Sequence, residues 1–181
     1  MEYVTPIDAA LQRQVIAETE YYVKQAAAAY KRRFRYVPVL FDLSGRTAGM
    51  FKLQGRRGWI RYNPWIFSKY FDENLRNTVP HEVAHYVVYK LYGLRGIKPH
   101  GPQWQEVMEL FDADQGVTFD LDLEGIPQRQ QRTYPYRCDC MTHEMSATRH
   151  NRVMRGIGSY SCRVCGSDLH YAGEDHKPES Q

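Results

Sequence analysis

Residues 78–92 read Thr-Val-Pro-His-Glu-Val-Ala-His-Tyr-Val-Val-Tyr-Lys-Leu-Tyr, and this stretch decides what fold the chain needs. Val83, Ala84, Val87, Val88 and Leu91 make it strongly apolar, so a buried helix is expected, ending near Gly93. Inside it, His81-Glu82-Val83-Ala84-His85 has the H-E-x-x-H spacing. Residues four apart share one helix face, so both imidazoles can reach one ion. Glu82 sits beside them and can reach a water at the open position of that ion without binding the ion itself. Zinc lowers the pKa of such a water towards roughly 7, and a carboxylate then takes its proton. With 7 His and 11 Glu in the chain, random placement gives this pattern only about 0.02 times. Two unpaired imidazoles and a carboxylate are costly in a buried helix, and a metal ion removes that cost. Hydrogen-bonded core histidines are the competing reading.

A catalytic zinc site takes three protein ligands and a water. His143, His150, His170 and His176 fall in or after a cysteine-bearing region, which leaves His100 as the third ligand. It stands in Lys98-Pro99-His100-Gly101-Pro102, a loop that can turn back towards the helix. Glu109 and Asp112 are alternatives.

Working outward, Pro6 to Arg33 has a helical pattern, with Leu11, Val15, Tyr22, Ala26 and Tyr30 at near-helical spacing. It ends in Lys31, Arg32, Arg33 and Arg35, which suit a helix C-terminus or a nucleic-acid contact equally. Val37 to Asp42, Gly45 to Gly58 and Trp59 to Tyr62 read as a small antiparallel sheet of three or four strands. An extended peptide substrate pairs with Trp59 to Tyr62 if that strand is a sheet edge. Phe67 to Tyr92 reads as one long helix or two in succession, interrupted at Pro80. Pro102 to Phe111 reads as another, with Trp104, Val107, Met108 and Phe111 on one face. Pro127 to Arg132 resembles a linker.

All four cysteines follow it. Cys162 and Cys165 form a C-x-x-C knuckle before Gly166, and Cys138-Asp139-Cys140 is a tighter C-x-C whose side chains face one way on a strand. Four thiolates around a structural zinc are favoured over two disulfides, with His143 able to replace one thiolate. Residues 129–163 hold seven Arg against Asp139 and Glu144. Arg149, Arg152 and Arg155 are candidate phosphate contacts, and Tyr134, Tyr136 and Tyr160 candidate stacking platforms for a single strand. A solvated face with tyrosines in a small core is the plain alternative.

The chain's 181 residues allow one domain plus an appendage, and the total charge of +3 hides this basic module. No apolar run approaches the roughly 20 residues needed to span a bilayer. A polar N-terminus points to the cytoplasm. The expected units are a metallopeptidase domain over 1–130, a zinc ribbon over 131–173 and a polar tail over 174–181.

Beyond the histidine motif and His100-Gly101-Pro102 with Trp104, several segments form a recognisable set. They are Ser44 to Gly49, Ile60-Arg61-Tyr62-Asn63-Pro64, Tyr136 to Cys140, Arg149 to Arg152 and Tyr160 to Gly166. Together they resemble the SprT/Spartan family of zinc metallopeptidases over nearly the whole chain. Its eukaryotic member Spartan degrades proteins crosslinked to DNA. The resemblance implies an α+β, zincin-like fold with a zinc ribbon. It also implies His81, His85 and His100 as zinc ligands, Glu82 as the catalytic residue and two Zn2+ ions, one catalytic and one structural. The partners expected are a protein substrate and single-stranded or damaged DNA. The alternative is a zinc-dependent nucleic-acid-binding or regulatory protein with little peptidase activity.

Overall fold

The computed structural model describes residues 4–116, 121–128 and 132–173. It divides the chain into two compact units, residues 1–129 and 130–181. The expected boundary at 130/131 and the tail at 174–181 lie outside the described residues.

The first unit opens with α1 (Ala9–Ala29), capped by Asp8, whose carboxylate accepts from the Leu11 N–H at 2.9 Å. Val15, Thr19, Tyr22 and Ala26 face inward at alternating spacings of four and three, as an amphipathic helix requires. Three strands follow: β1 (Val39–Leu40), β2 (Gly49–Gln54) and β3 (Arg57–Tyr62). The sheet is mixed, not antiparallel as expected. The β2–β3 hairpin puts β3 in the centre, and β1 lies parallel to it, Val39 opposite Ile60. Trp59 to Tyr62 is therefore no sheet edge, because β3 is paired on both sides. Among the described residues the long open edge belongs to β2.

The expected long helix is three: α2 (Pro64–Lys69), α3 (Phe71–Arg76) and α4 (Thr78–Tyr92). The chain breaks at Tyr70, whose φ of −137° and ψ of 55° are not helical, and resets at Asn77. Pro80 does not kink α4. It occupies the first turn, where a missing N–H costs no intrahelical bond. α5 (Pro102–Leu110) completes the unit.

α4 is the hub, touching α1, α3, α5, β2 and β3. Val79, Val83 and Val87 on one side of it are fully buried, among Ile60, Tyr62, Phe67 and Trp104. Burial of each such valine contributes about 1.5–3 kcal/mol. Pro127, expected in a linker, is tied in: its carbonyl accepts from Gly45 N–H at 3.0 Å, and Ile126 beside it is buried.

The second unit is an antiparallel sheet of β4 (Thr133–Arg137), β5 (Thr142–Ser146) and β6 (His170–Tyr171), in the order β5-β4-β6, with α6 (Ala147–Met154). Its apolar content is small. Tyr136, Met145, Cys138 and Cys162 are buried, together with His150.

Candidate metal centres

α4 carries His81 and His85 on the side away from Val79, Val83 and Val87, one turn apart. The Nε2 atoms lie 3.2 Å apart. The loop after Gly93 returns His100 to the same point, its Nε2 3.2 Å from that of His81. Trp104, from the first turn of α5, forms the floor. Its ring lies 4.9 Å from both His81 and His100, and its indole N–H donates to the His81 carbonyl at 3.4 Å. Glu109 and Asp112 do not join this group, so His100 completes it.

The donor set suits a small cation. Tetrahedral zinc with bonds of about 2.0–2.1 Å places its nitrogens roughly 3.3 Å apart, close to the separations seen. Burial, aided by the neighbouring His100, pushes His81 down to about 4. Burial together with His81 and His100 pushes His85 down to about 3. Both are neutral near pH 7, the form in which imidazole offers a lone pair. Neutral rings that converge this closely leave lone pairs facing one another, an arrangement that a cation relieves.

Glu82 is only 6% exposed. Burial raises its pKa to about 7, against the opposing pull of a hydrogen bond from Phe51. That bond, Phe51 N–H to Oε2 at 2.6 Å, ties the carboxylate to the open edge of β2. Gly49 makes the approach possible. A Cβ there would lie 2.8 Å from Glu82 Cγ, 2.9 Å from its Oε1 and 2.7 Å from Thr78 Cγ2. Gly49 and the Phe51 amide were not picked out as site residues from the sequence. A backbone donor leaves no residue-type signal, and Gly49 reads as one of several turn glycines. Gly49, Phe51, Leu53, Val88, Tyr89, Leu94 and the three histidines surround one open cavity of about 440 Å³.

The cysteines converge in the second unit. Sγ of Cys140 lies 3.4 Å from that of Cys138 and 3.7 Å from that of Cys162, and the four sulfurs are all within 4.8 Å of one another. They are free thiols, and tetrahedral zinc with bonds of about 2.3 Å sets sulfurs about 3.8 Å apart. Cys138 and Cys140 are not on a strand, as expected, but in the turn between β4 and β5, where the chain reverses around the site. The knuckle closes with Gly166 at φ 78°, its N–H on the Cys162 carbonyl, while Val164 N–H donates to Cys162 Sγ. His143 is not one of the four groups that converge. It lies beside Cys138, Nε2 to Sγ 3.2 Å, in position to donate to that sulfur.

Arg149, Arg152 and Arg155 are exposed on α6 and its C-cap, and Arg149 lies over the Tyr160 ring. The tyrosines are less free than expected. Tyr136 is fully buried, with its hydroxyl 3.1 Å from His150 Nδ1. Tyr134 stacks on His150 at 3.7 Å, with Arg132 over its ring. The second unit packs Tyr134 and Tyr136 against His150, because it has few other apolar residues to bury.

No described helix is long and apolar enough to cross a membrane. No solved structure gives a significant match. The model of the SprT-like family matches residues 19–124. Protein SprT of Vibrio parahaemolyticus is 36% identical over 83% of this chain and 88% of its own length. Protein SprT of Serratia proteamaculans is 34% identical over 93% and 96%, and that of Shewanella oneidensis 33% identical over 88% and 98%. With the family model over more than half its residues and relatives of this likeness along most of its length, the chain belongs to the SprT-like family.

Proposed function

We propose that this chain is a cytoplasmic, zinc-dependent metallopeptidase with a zincin-like first unit and a structural zinc ribbon. The observation that carries the reading is the meeting of three imidazole nitrogens with a buried carboxylate beside an open strand edge. His81, His85 and His100 would hold the catalytic ion, which when bound would supply Lewis acidity towards a water and a peptide carbonyl. Glu82 is the residue placed to take a proton from the attacking water and to return it to the leaving amine. Its burial keeps the carboxylate out of bulk water, where it can hand a proton on as well as take one. The Phe51 amide and the space left by Gly49 hold the carboxylate in place. An extended segment of a protein substrate lies along β2, whose outward backbone groups other than the Phe51 amide offer strand pairing. Cys138, Cys140, Cys162 and Cys165 would hold the structural ion, which when bound would supply folding energy to a unit of small core. Arg149, Arg152 and Arg155 direct the enzyme to proteins on single-stranded or damaged DNA.

The test is cleavage of an unfolded basic protein by wild type and by Glu82→Gln, with metal quantified on both, with and without single-stranded DNA. Cleavage by wild type alone, at equal metal content, is expected. Equal cleavage by the variant sinks the mechanism. DNA binding without cleavage favours a binding or regulatory protein.

A further inference from the structure

The first unit carries a second cluster of cations, remote in sequence from the ribbon. Lys31, Arg32, Arg33 and Arg35 follow α1, all exposed. Among the described residues none of them has a carboxylate within 4.0 Å. The backbone beneath them is fixed. Tyr86 of α4 donates its hydroxyl to the Arg35 carbonyl at 2.6 Å, the Phe34 ring packs on Tyr86, and Pro38 accepts from Ile60 N–H. Arg33, Phe34, Arg35 and Tyr36 line an open cleft of about 480 Å³. Sharing Phe34 and Tyr36 with it is an apolar slot of about 200 Å³, walled by Ile16, Val23, Val37 and Val39. At its rim Glu20 and Lys24 form an exposed ion pair at 3.8 Å.

Tyr36 is 66% exposed and has no ring partner among the described aromatic pairs. A large bare ring beside an apolar slot, flanked by unpaired guanidinium groups, matches one chemistry on both counts. A flat heterocycle fits the slot and the Tyr36 face, while the phosphates on either side of it neutralise the arginines. An acidic peptide would satisfy the arginines but leave the slot empty, and a duplex keeps its bases stacked inside. We propose that residues 31–36 and the adjoining slot bind single-stranded nucleic acid. An unpaired base lies against Tyr36 and Phe34, and its flanking phosphates lie on Arg33 and Arg35. This site is independent of the ribbon arginines and of peptidase activity.

The test uses the full chain and a fluorescein-labelled oligothymidine strand, read by anisotropy across a salt series. Tyr36→Ala is expected to weaken strand binding roughly tenfold and leave duplex binding unchanged. Arg33→Glu with Arg35→Glu is expected to reduce the salt slope of log affinity by about 1.4, two phosphate contacts' worth. Arg149→Glu with Arg152→Glu separates any ribbon contribution. The changed side chains are exposed, and thermal melting checks that folding is intact. As a second readout, a bromodeoxyuridine strand irradiated on wild type is expected to crosslink at residues 34–36. Unaltered affinity in both loop variants overturns the proposal. So do crosslinks confined to the ribbon, no binding of the strand at all, and a free thymidine nucleotide that binds as tightly as the strand.

Discussion

Gly49→Ala is the smallest change that reaches the proposed general base without touching it. The added methyl group would stand 2.7 Å from Thr78 Cγ2, 2.8 Å from Glu82 Cγ and 2.9 Å from Glu82 Oε1. Carbon–carbon contacts are optimal at about 3.5–4.0 Å, so β2 and Glu82 must separate by roughly 1 Å. Thr78 cannot yield, since it is buried and its hydroxyl donates to Asn74 Oδ1 at 2.8 Å. β2 and the carboxylate therefore both shift, and the 2.6 Å bond from Phe51 is lost. Misplacement of this size costs on the order of a hundredfold in rate. Crowding costs about 1–3 kcal/mol of stability. None of the three atoms nearest the new methyl group belongs to His81, His85 or His100, so metal content is expected to hold. The assay is kcat on a denatured protein substrate per mole of bound zinc, beside the melting temperature. A kcat within twofold of wild type would show that the Gly49–Phe51 edge does not position Glu82.

Three further outcomes follow from the same geometry. His143→Ala removes a donor from Cys138 but no ligand, so ribbon zinc affinity falls about 10–100-fold at unchanged stoichiometry; isothermal titration showing no loss, or complete loss, contradicts this. Val83→Ala leaves a void at the fully buried centre of α4 and is expected to destabilise by about 1–3 kcal/mol, read from denaturant midpoints; a change below about 0.5 kcal/mol refutes the packing argument. In metal-free protein, His81 near about 4 and His85 near about 3 bind fewer protons than the same residues in an unfolded chain, near 6.5. Stability therefore falls as pH drops from about 6.5 towards 4, and the fall is expected to be shallower in a His81→Gln/His85→Gln variant; parallel melting curves for the two proteins would exclude it.

What was legible in the sequence is what a side chain's identity and spacing encode. Helix periodicity found α1 and its inward residues Val15, Tyr22 and Ala26, and Pro102 to Phe111 gave α5. The motif led to the histidine cluster, and His100 followed from its loop. Strand order was not legible, because pairing between strands apart in the chain is decided by tertiary packing, which residue type does not encode. The short β1 took its place against β3 through a Pro38 carbonyl that no pattern announces. The break at Tyr70 was hidden for a similar reason, since nothing in Ser68-Lys69-Tyr70-Phe71 forbids a helix. Tyr136 reads as a free platform because exposure is a property of the second unit's thin core and not of the residue.

α4 holds His81, Glu82 and His85 on one flank and the valines at the centre of the core on the other. Scaffold and most of the chemistry thus share one helix, His100 alone coming from outside it. Warming that loosens the valines also scatters His81, Glu82 and His85, so heat inactivation is expected to come no later than unfolding. The same arrangement confines innovation. A lineage can retune what this cavity accepts only through the rim, at β2 and the loop that carries Leu94 and His100, while the helix itself stays as inherited.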